Sequence, residues 1–159
     1  SNSDLAEQVF KLKLDGFPFV LVDRHFDFDA PCVAVGNFGG GKILGEYLAA
    51  RGRKRIAWIG ELDSTAARLR CQGLNQALDA AGLALPRSYV REVALRDVGS
   101  SREYRQKLRN GVSDAWRELK NQTPDAIVCG NDLTAFYLLE ILERESVEVP
   151  DRISVCGFD

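Results

Sequence analysis

Apolar residues along this chain fall into two kinds of run that alternate. Short β-rich runs at 17–22, 32–35, 56–59, 89–93, 126–129 and 153–156 are separated by longer segments in which apolar residues recur every three or four positions. Several short runs are apolar throughout, as strands buried on both faces are. The alternation predicts an α/β fold: a doubly wound parallel sheet in a three-layer α/β/α arrangement.

The helical segments carry their own punctuation. A first helix is expected near 5–14. Ile43, Leu44, Tyr47 and Leu48 form one stripe, and Leu69, Leu74, Ala77, Leu78 and Ala81 form another that ends at Gly82. Tyr104, Leu108, Val112, Trp116 and Leu119 make a third, after a capping box of Ser100 and Glu103. A fourth helix starts after Asn131-Asp132, runs through Phe136, Tyr137, Leu139 and Leu142, and stops before Val149-Pro150. The one irregular stretch, 24–31, is broken by Asp27, Asp29 and Pro31 and reads as a crossover between two sheets. Residues 1–30 are then the tail of a preceding lobe with its crossover, and residues 31–159 form the following lobe.

At 159 residues, 45% hydrophobic and 28% charged, the chain can bury one core. A net charge of -2 gives this piece no general reason to grip nucleic acid. There is no apolar run long enough for a membrane span, and the start Ser1-Asn2-Ser3-Asp4 has no signal-peptide core, so a cytoplasmic protein without membrane partners is expected. Cys32, Cys71, Cys129 and Cys156 are scattered and fit reduced core thiols better than zinc ligands or disulfides.

In an open parallel sheet, ligands bind beyond the carboxyl ends of the strands, where loops lead into helix N-termini. Four such corners carry polar residues: Asp23-Arg24, 63–70, Asn131-Asp132 and Asp159. Asn131 or Asp132 caps the next helix, and an Asn amide also offers a donor and an acceptor to a hydroxyl-rich ligand. Arg70 is either a solvated surface arginine or a rigid fork of donors for a vicinal diol or carboxylate. Asp23 is a turn residue or a ligand contact. Asp159, after the final strand, can accept hydrogen bonds from ligand hydroxyls.

Other chemistry finds little support. Gly36-Asn37-Phe38-Gly39-Gly40-Gly41-Lys42 fits a phosphate-loop spacing, but Ile43 stands where magnesium-nucleotide chemistry needs a hydroxyl. Glycines with Asn37 as an N-cap explain it more simply. The single histidine, His25, with Asp27 and Asp29 reads as a solvated loop rather than a metal site. No Ser or Cys sits in a nucleophile elbow, so neither an enzyme nor a cofactor is expected.

The corner residues sit in stretches that resemble the lactose-repressor/galactose-repressor transcription regulators. These stretches are Phe19-Val20-Leu21-Val22-Asp23-Arg24, Gly39-Gly40, Gly52-Arg53-Lys54-Arg55-Ile56-Ala57-Trp58-Ile59-Gly60 and Ala67-Arg68-Leu69-Arg70 with Gly73. They continue as Pro124-Asp125-Ala126-Ile127-Val128-Cys129-Gly130-Asn131-Asp132 and Val149-Pro150-Asp151-Arg152-Ile153-Ser154-Val155-Cys156-Gly157-Phe158-Asp159. The resemblance implies a periplasmic-binding-protein-like effector domain with a small-molecule site between two lobes, residues 31–159 being the C-terminal one. It carries effector contacts onto Arg70, Asn131 and Asp159, with Asp23 a further contact at the crossover. It also implies a homodimer that reads operator DNA through a helix-turn-helix outside this sequence. Where the family usually has Asp-Asn after the strand at Val33, this chain has Gly36-Asn37 and lacks the carboxylate. The competing expectations are a periplasmic sugar-binding transport receptor, which shares the fold, and a flavodoxin-like or nucleotide-using enzyme.

Overall fold

Residues Ile56–Gly60 and Ala126–Cys129 are apolar at nearly every position, and in the computed structural model of the chain both are fully buried neighbouring strands. The structure describes residues 2–23, 26–95 and 99–158. His25 and Asp159 lie outside the described residues. The chain divides into two compact units, Ser1–Gly36 and Asn37–Asp159.

The first unit holds α1 (Asn2–Leu14) and two short parallel strands, β1 (Leu21–Val22) and β2 (Cys32–Val33), paired Leu21 to Cys32 and Val22 to Val33. Both strands are shorter than the apolar runs 17–22 and 32–35 predict. Val20, Val22, Val33 and Val35 are exposed, so the pair has one partner strand each and little apolar cover to extend it. Phe10 meets Phe28 edge-on at 5.2 Å, and Phe28 stacks on Phe26 at 5.4 Å.

The second unit is the predicted parallel α/β sandwich. Its elements run α2 (Asn37–Ala50), β3 (Ile56–Gly60), α3 (Thr65–Ala80), β4 (Val90–Glu92), α4 (Ser101–Leu119), β5 (Ala126–Cys129), α5 (Asp132–Arg144) and β6 (Ser154–Cys156). The sheet order is β4-β3-β5-β6, all pairs parallel. Alternate residues of β3 and β5 sort cleanly onto the two faces. Ile56, Trp58, Ala126 and Val128 pack with Leu48 of α2 and with Ala67, Leu74 and Leu78 of α3. Ala57, Ile59, Ile127 and Cys129 pack with Leu108, Val112 and Trp116 of α4 and Leu138 and Leu142 of α5. Each fully buried side chain of this size contributes roughly 1.5–3 kcal/mol, so the two faces together hold the sheet.

Three helical stripes differ from the expected ones. On α2 the buried positions are Gly41, Gly45 and Leu48, while Ile43 and Tyr47 are 67% and 52% exposed. On α3 the stripe runs Ala67, Arg70, Gly73, Leu74, Ala77 and Leu78, not through Leu69 and Ala81. On α5, Phe136 and Leu139 face outward and Tyr137 and Leu138 face in. The first two shifts have one cause. α2 and α3 touch through small residues: a Cβ on Gly73 would run into the Phe38 carbonyl, and one on Gly41 into the Arg70 carbonyl. Gly41 of the segment that mimics a phosphate loop therefore serves helix packing.

Candidate functional site

The strand order creates the site. β3 and β5 are neighbours, yet α3 and α5 leave them toward opposite faces, which opens a crevice at their carboxyl ends. Gly60 and Gly130 line up there, and a Cβ on Gly60 would come within 2.9 Å of Gly130 Cα. Both corners stay bare of side chains. A cavity of about 170 Å³ opens beside them, lined by Glu61, Ser64, Ala67, Arg70, Gly130 and Asn131.

Arg70 reaches this cavity because α3 starts late. Ser64 caps it, its Oγ accepting from Ala67 N at 3.5 Å, so Arg70 stands in the second turn on the buried stripe. Only 5% of it is exposed, which overturns the solvated-surface reading. Its Nε donates to Asn37 Oδ1 at 2.7 Å and its Nη1 to the Gly130 carbonyl at 2.9 Å. The guanidinium lies 4.7 Å from the centre of the Phe158 ring, a stacking that further fixes its plane. Phe158 is itself tied down by its carbonyl, which accepts from Asp132 N at 2.8 Å. Asn37, expected before the helix as its cap, is the first residue of α2 and hands its side-chain oxygen to Arg70.

Asn131 is the N-cap of α5. Its Oδ1 accepts from both Thr134 N and Thr134 Oγ1 at 2.8 Å, so the capping half of its expected role is present. Capping leaves the amide nitrogen as the group for other partners, and it lies beside the hydroxyl of Tyr104. That hydroxyl in turn donates to Glu61 Oε1 at 2.9 Å. Burial, together with the neighbouring Glu61 carboxylate, pushes the Tyr104 phenol up to about 12, so it remains a donor throughout the physiological range. α4 delivers Tyr104 in its first turn. Ser100 Oγ caps Glu103 N at 3.2 Å, while Glu103 Oε2 accepts from Gly99 N at 3.0 Å instead of returning to Ser100 as a full capping box requires.

Of the predicted site residues, Arg70 and Asn131 line one cavity. Asp159 lies outside the described residues. Asp23 belongs to the first unit, at φ 50°, where its Oδ1 accepts from Val35 N at 2.9 Å and ties the end of β1 to the end of β2. Sequence reasoning overlooked Glu61 and Tyr104. Glu61 follows β3 directly and obeys the same corner rule that singled out Asn131. Tyr104 reads as core in the sequence because its ring is in phase with Leu108 and Val112. The four cysteines form no disulfide with one another, and Cys129 is raised by burial and Cys71 pushed up by burial to about 11, so both are protonated packing groups. Among the described residues no cluster of His, Cys, Asp or Glu is arranged to hold a metal ion, and no helix is long and apolar enough to cross a membrane.

Arg70, Asn131 and Glu61 thus present donors and one carboxylate to a small polar cavity. A family model described as a periplasmic binding protein-like domain matches residues 46–159. The chain belongs to the periplasmic binding protein-like domain family. Within that family it is 35% identical, over 146 residues, to the ribose operon repressor of Escherichia coli K12, covering 89% of this chain and 41% of the repressor. A regulatory protein of the LacI family from Chloroflexus aggregans superposes with a TM-score of 0.75 at 27% identity, over 95% of this chain and 52% of that one. The transcriptional regulator CelR in complex with cellobiose superposes with a TM-score of 0.73 at 25% identity, over 92% of this chain and 43% of that one. The resemblance to lactose-repressor/galactose-repressor regulators and the parallel α/β fold are both borne out. This periplasmic-binding-protein-like domain spans about two fifths of the repressor it matches, and these relatives are transcription regulators rather than transport receptors.

Proposed function

We propose that the chain is part of the effector-sensing domain of a cytoplasmic, DNA-binding transcription regulator, and that it binds a sugar or related small molecule without catalysing a reaction. In this reading residues 1–30 are the tail of an N-terminal lobe with its crossover, and residues 31–159 form the C-terminal lobe. The observation that carries it is Arg70: a buried arginine held by Asn37, Gly130 and Phe158 on the wall of the cavity it shares with Asn131. A charged side chain is fixed this firmly at a switch-point crevice when its donors are needed in one orientation. The ribose operon repressor and the cellobiose complex of CelR favour a sugar as the effector.

Ligand binding across the cleft, with Asp159 and Asp23 as further contacts, favours one arrangement of the two lobes. A homodimer then presents its DNA-reading heads to an operator differently in the two states. In the full-length protein Arg70→Ala abolishes the response of operator binding to sugar while operator binding without sugar persists. A variant that still releases DNA on sugar addition would refute the assignment.

A further inference from the structure

Among the described residues that line the cavity, few side chains can accept a hydrogen bond. Each sugar hydroxyl both donates and accepts, so a polyol site needs acceptors as well as donors. Arg70 supplies donors only, the oxygen of Asn131 already accepts twice from Thr134, and the Gly130 carbonyl accepts from Arg70. Among the described residues Glu61 answers this need. It lines the same cavity, it is half-buried, and its Oε1 accepts from the Tyr104 hydroxyl.

Its orientation is set by Tyr104 on α4, which donates to Glu61 at the end of β3 and lies beside Asn131 at the end of β5. A carboxylate and an amide from the two central strands thus flank one hydroxyl. The cavity lining therefore combines guanidinium and amide donors with an anionic acceptor.

We propose that Glu61 is a ligand contact that accepts hydrogen bonds from the hydroxyls of an unphosphorylated sugar, with Tyr104 as its positioning residue. A polyol satisfies both the donors and the acceptor. A phosphate ester has only acceptors at its charged end, so it meets Arg70 but leaves Glu61 unpaired and repelled by like charge. The inference rests on the sensing role proposed above and names the class of effector within it.

The test uses the full-length protein and six probes: ribose, arabinose, glucose, cellobiose, ribose 5-phosphate and glucose 6-phosphate. Thermal shift identifies the probes that bind, and calorimetry measures them for the wild type, Glu61→Gln, Glu61→Asp, Tyr104→Phe and Arg70→Ala. A free sugar binds the wild type more tightly than its phosphate ester does. Glu61→Gln weakens that sugar about tenfold or more, as the loss of a hydrogen bond to a charged group does. The same substitution narrows the preference over the ester, which a purely structural role would leave unchanged. Glu61→Asp retains part of the preference, and Tyr104→Phe loses part of it. If Glu61→Gln binds sugar like the wild type while Arg70→Ala does not, or if an ester binds best, this inference is overturned and the sensing role stands. A wild type that answers none of the six overturns both.

Discussion

Asn131 does two jobs with the two ends of one amide. Its oxygen caps α5 through Thr134, and its nitrogen reaches Tyr104. The jobs can be separated. Asn131→Ser keeps a good capping oxygen, so thermal stability should stay within about 0.5 kcal/mol of the wild type, while sugar binding measured by calorimetry is lost. Asn131→Ala loses both and should cost about 1 kcal/mol in denaturant unfolding. Tyr104 makes a prediction in pH. Its phenol ionises at about 12 in the folded protein against about 10 in an open chain, so the folded state holds the proton more tightly. The resulting stability is fully present below pH 10 and is lost as pH climbs from there through about 12. Urea midpoints recorded over that window should fall more steeply for the wild type than for Tyr104→Phe. At this scale the site was half legible. Asn131 and Arg70 stand out in the sequence because they follow or enter βα corners, but the sequence leaves Arg70 open between a solvated arginine and a ligand contact because Leu69 beside it draws the stripe. The period of Leu74, Ala77 and Leu78, extended backward by four, falls on Arg70.

The pairing of α2 with α3 governs where Arg70 can be. Glycines at 41, 45 and 73 bring the two helices close enough for Asn37 on one to bond Arg70 on the other. Gly73→Ala places a methyl group against the Phe38 carbonyl. It should cost about 1–3 kcal/mol, as overpacking does, and should weaken sugar binding by moving Arg70, both read on the same purified variant. If Gly73→Ala has wild-type stability, the close approach is not a constraint. Among the elements, β3 and β5 were the easiest to read, since strands covered on both faces are apolar at every position. The stripe of α4 was equally plain: Leu108, Val112, Trp116 and Leu119 are all buried. The stripe of α2 misleads in the sequence because hydrophobicity marks a contact made by side chains, whereas this contact is made by their absence. Ile43 and Tyr47, the larger residues, are left outside.

The second unit offers its polar cavity at one end of the sheet and an apolar face on α5, where Phe136 is 55% exposed and Leu139 40%. In the proposed homodimer that α5 face is a natural contact. Phe136→Glu should weaken dimerisation of the full-length protein at least about tenfold in sedimentation velocity, as loss of an aromatic anchor does, and should leave the isolated domain folded. The parallel architecture followed from the alternation of short and long runs, and the relatives agree with it. Sugar binding needs more than one wall, so residues 1–159 alone should bind sugar weakly or not at all. The most direct test of the account is a crystal structure of the full-length protein with the sugar that stabilises it most. The account predicts ligand hydroxyls within about 3.2 Å of the Arg70 guanidinium and the Asn131 amide nitrogen. A sugar bound elsewhere, with Arg70 and Asn131 still bonded only to protein, would contradict it.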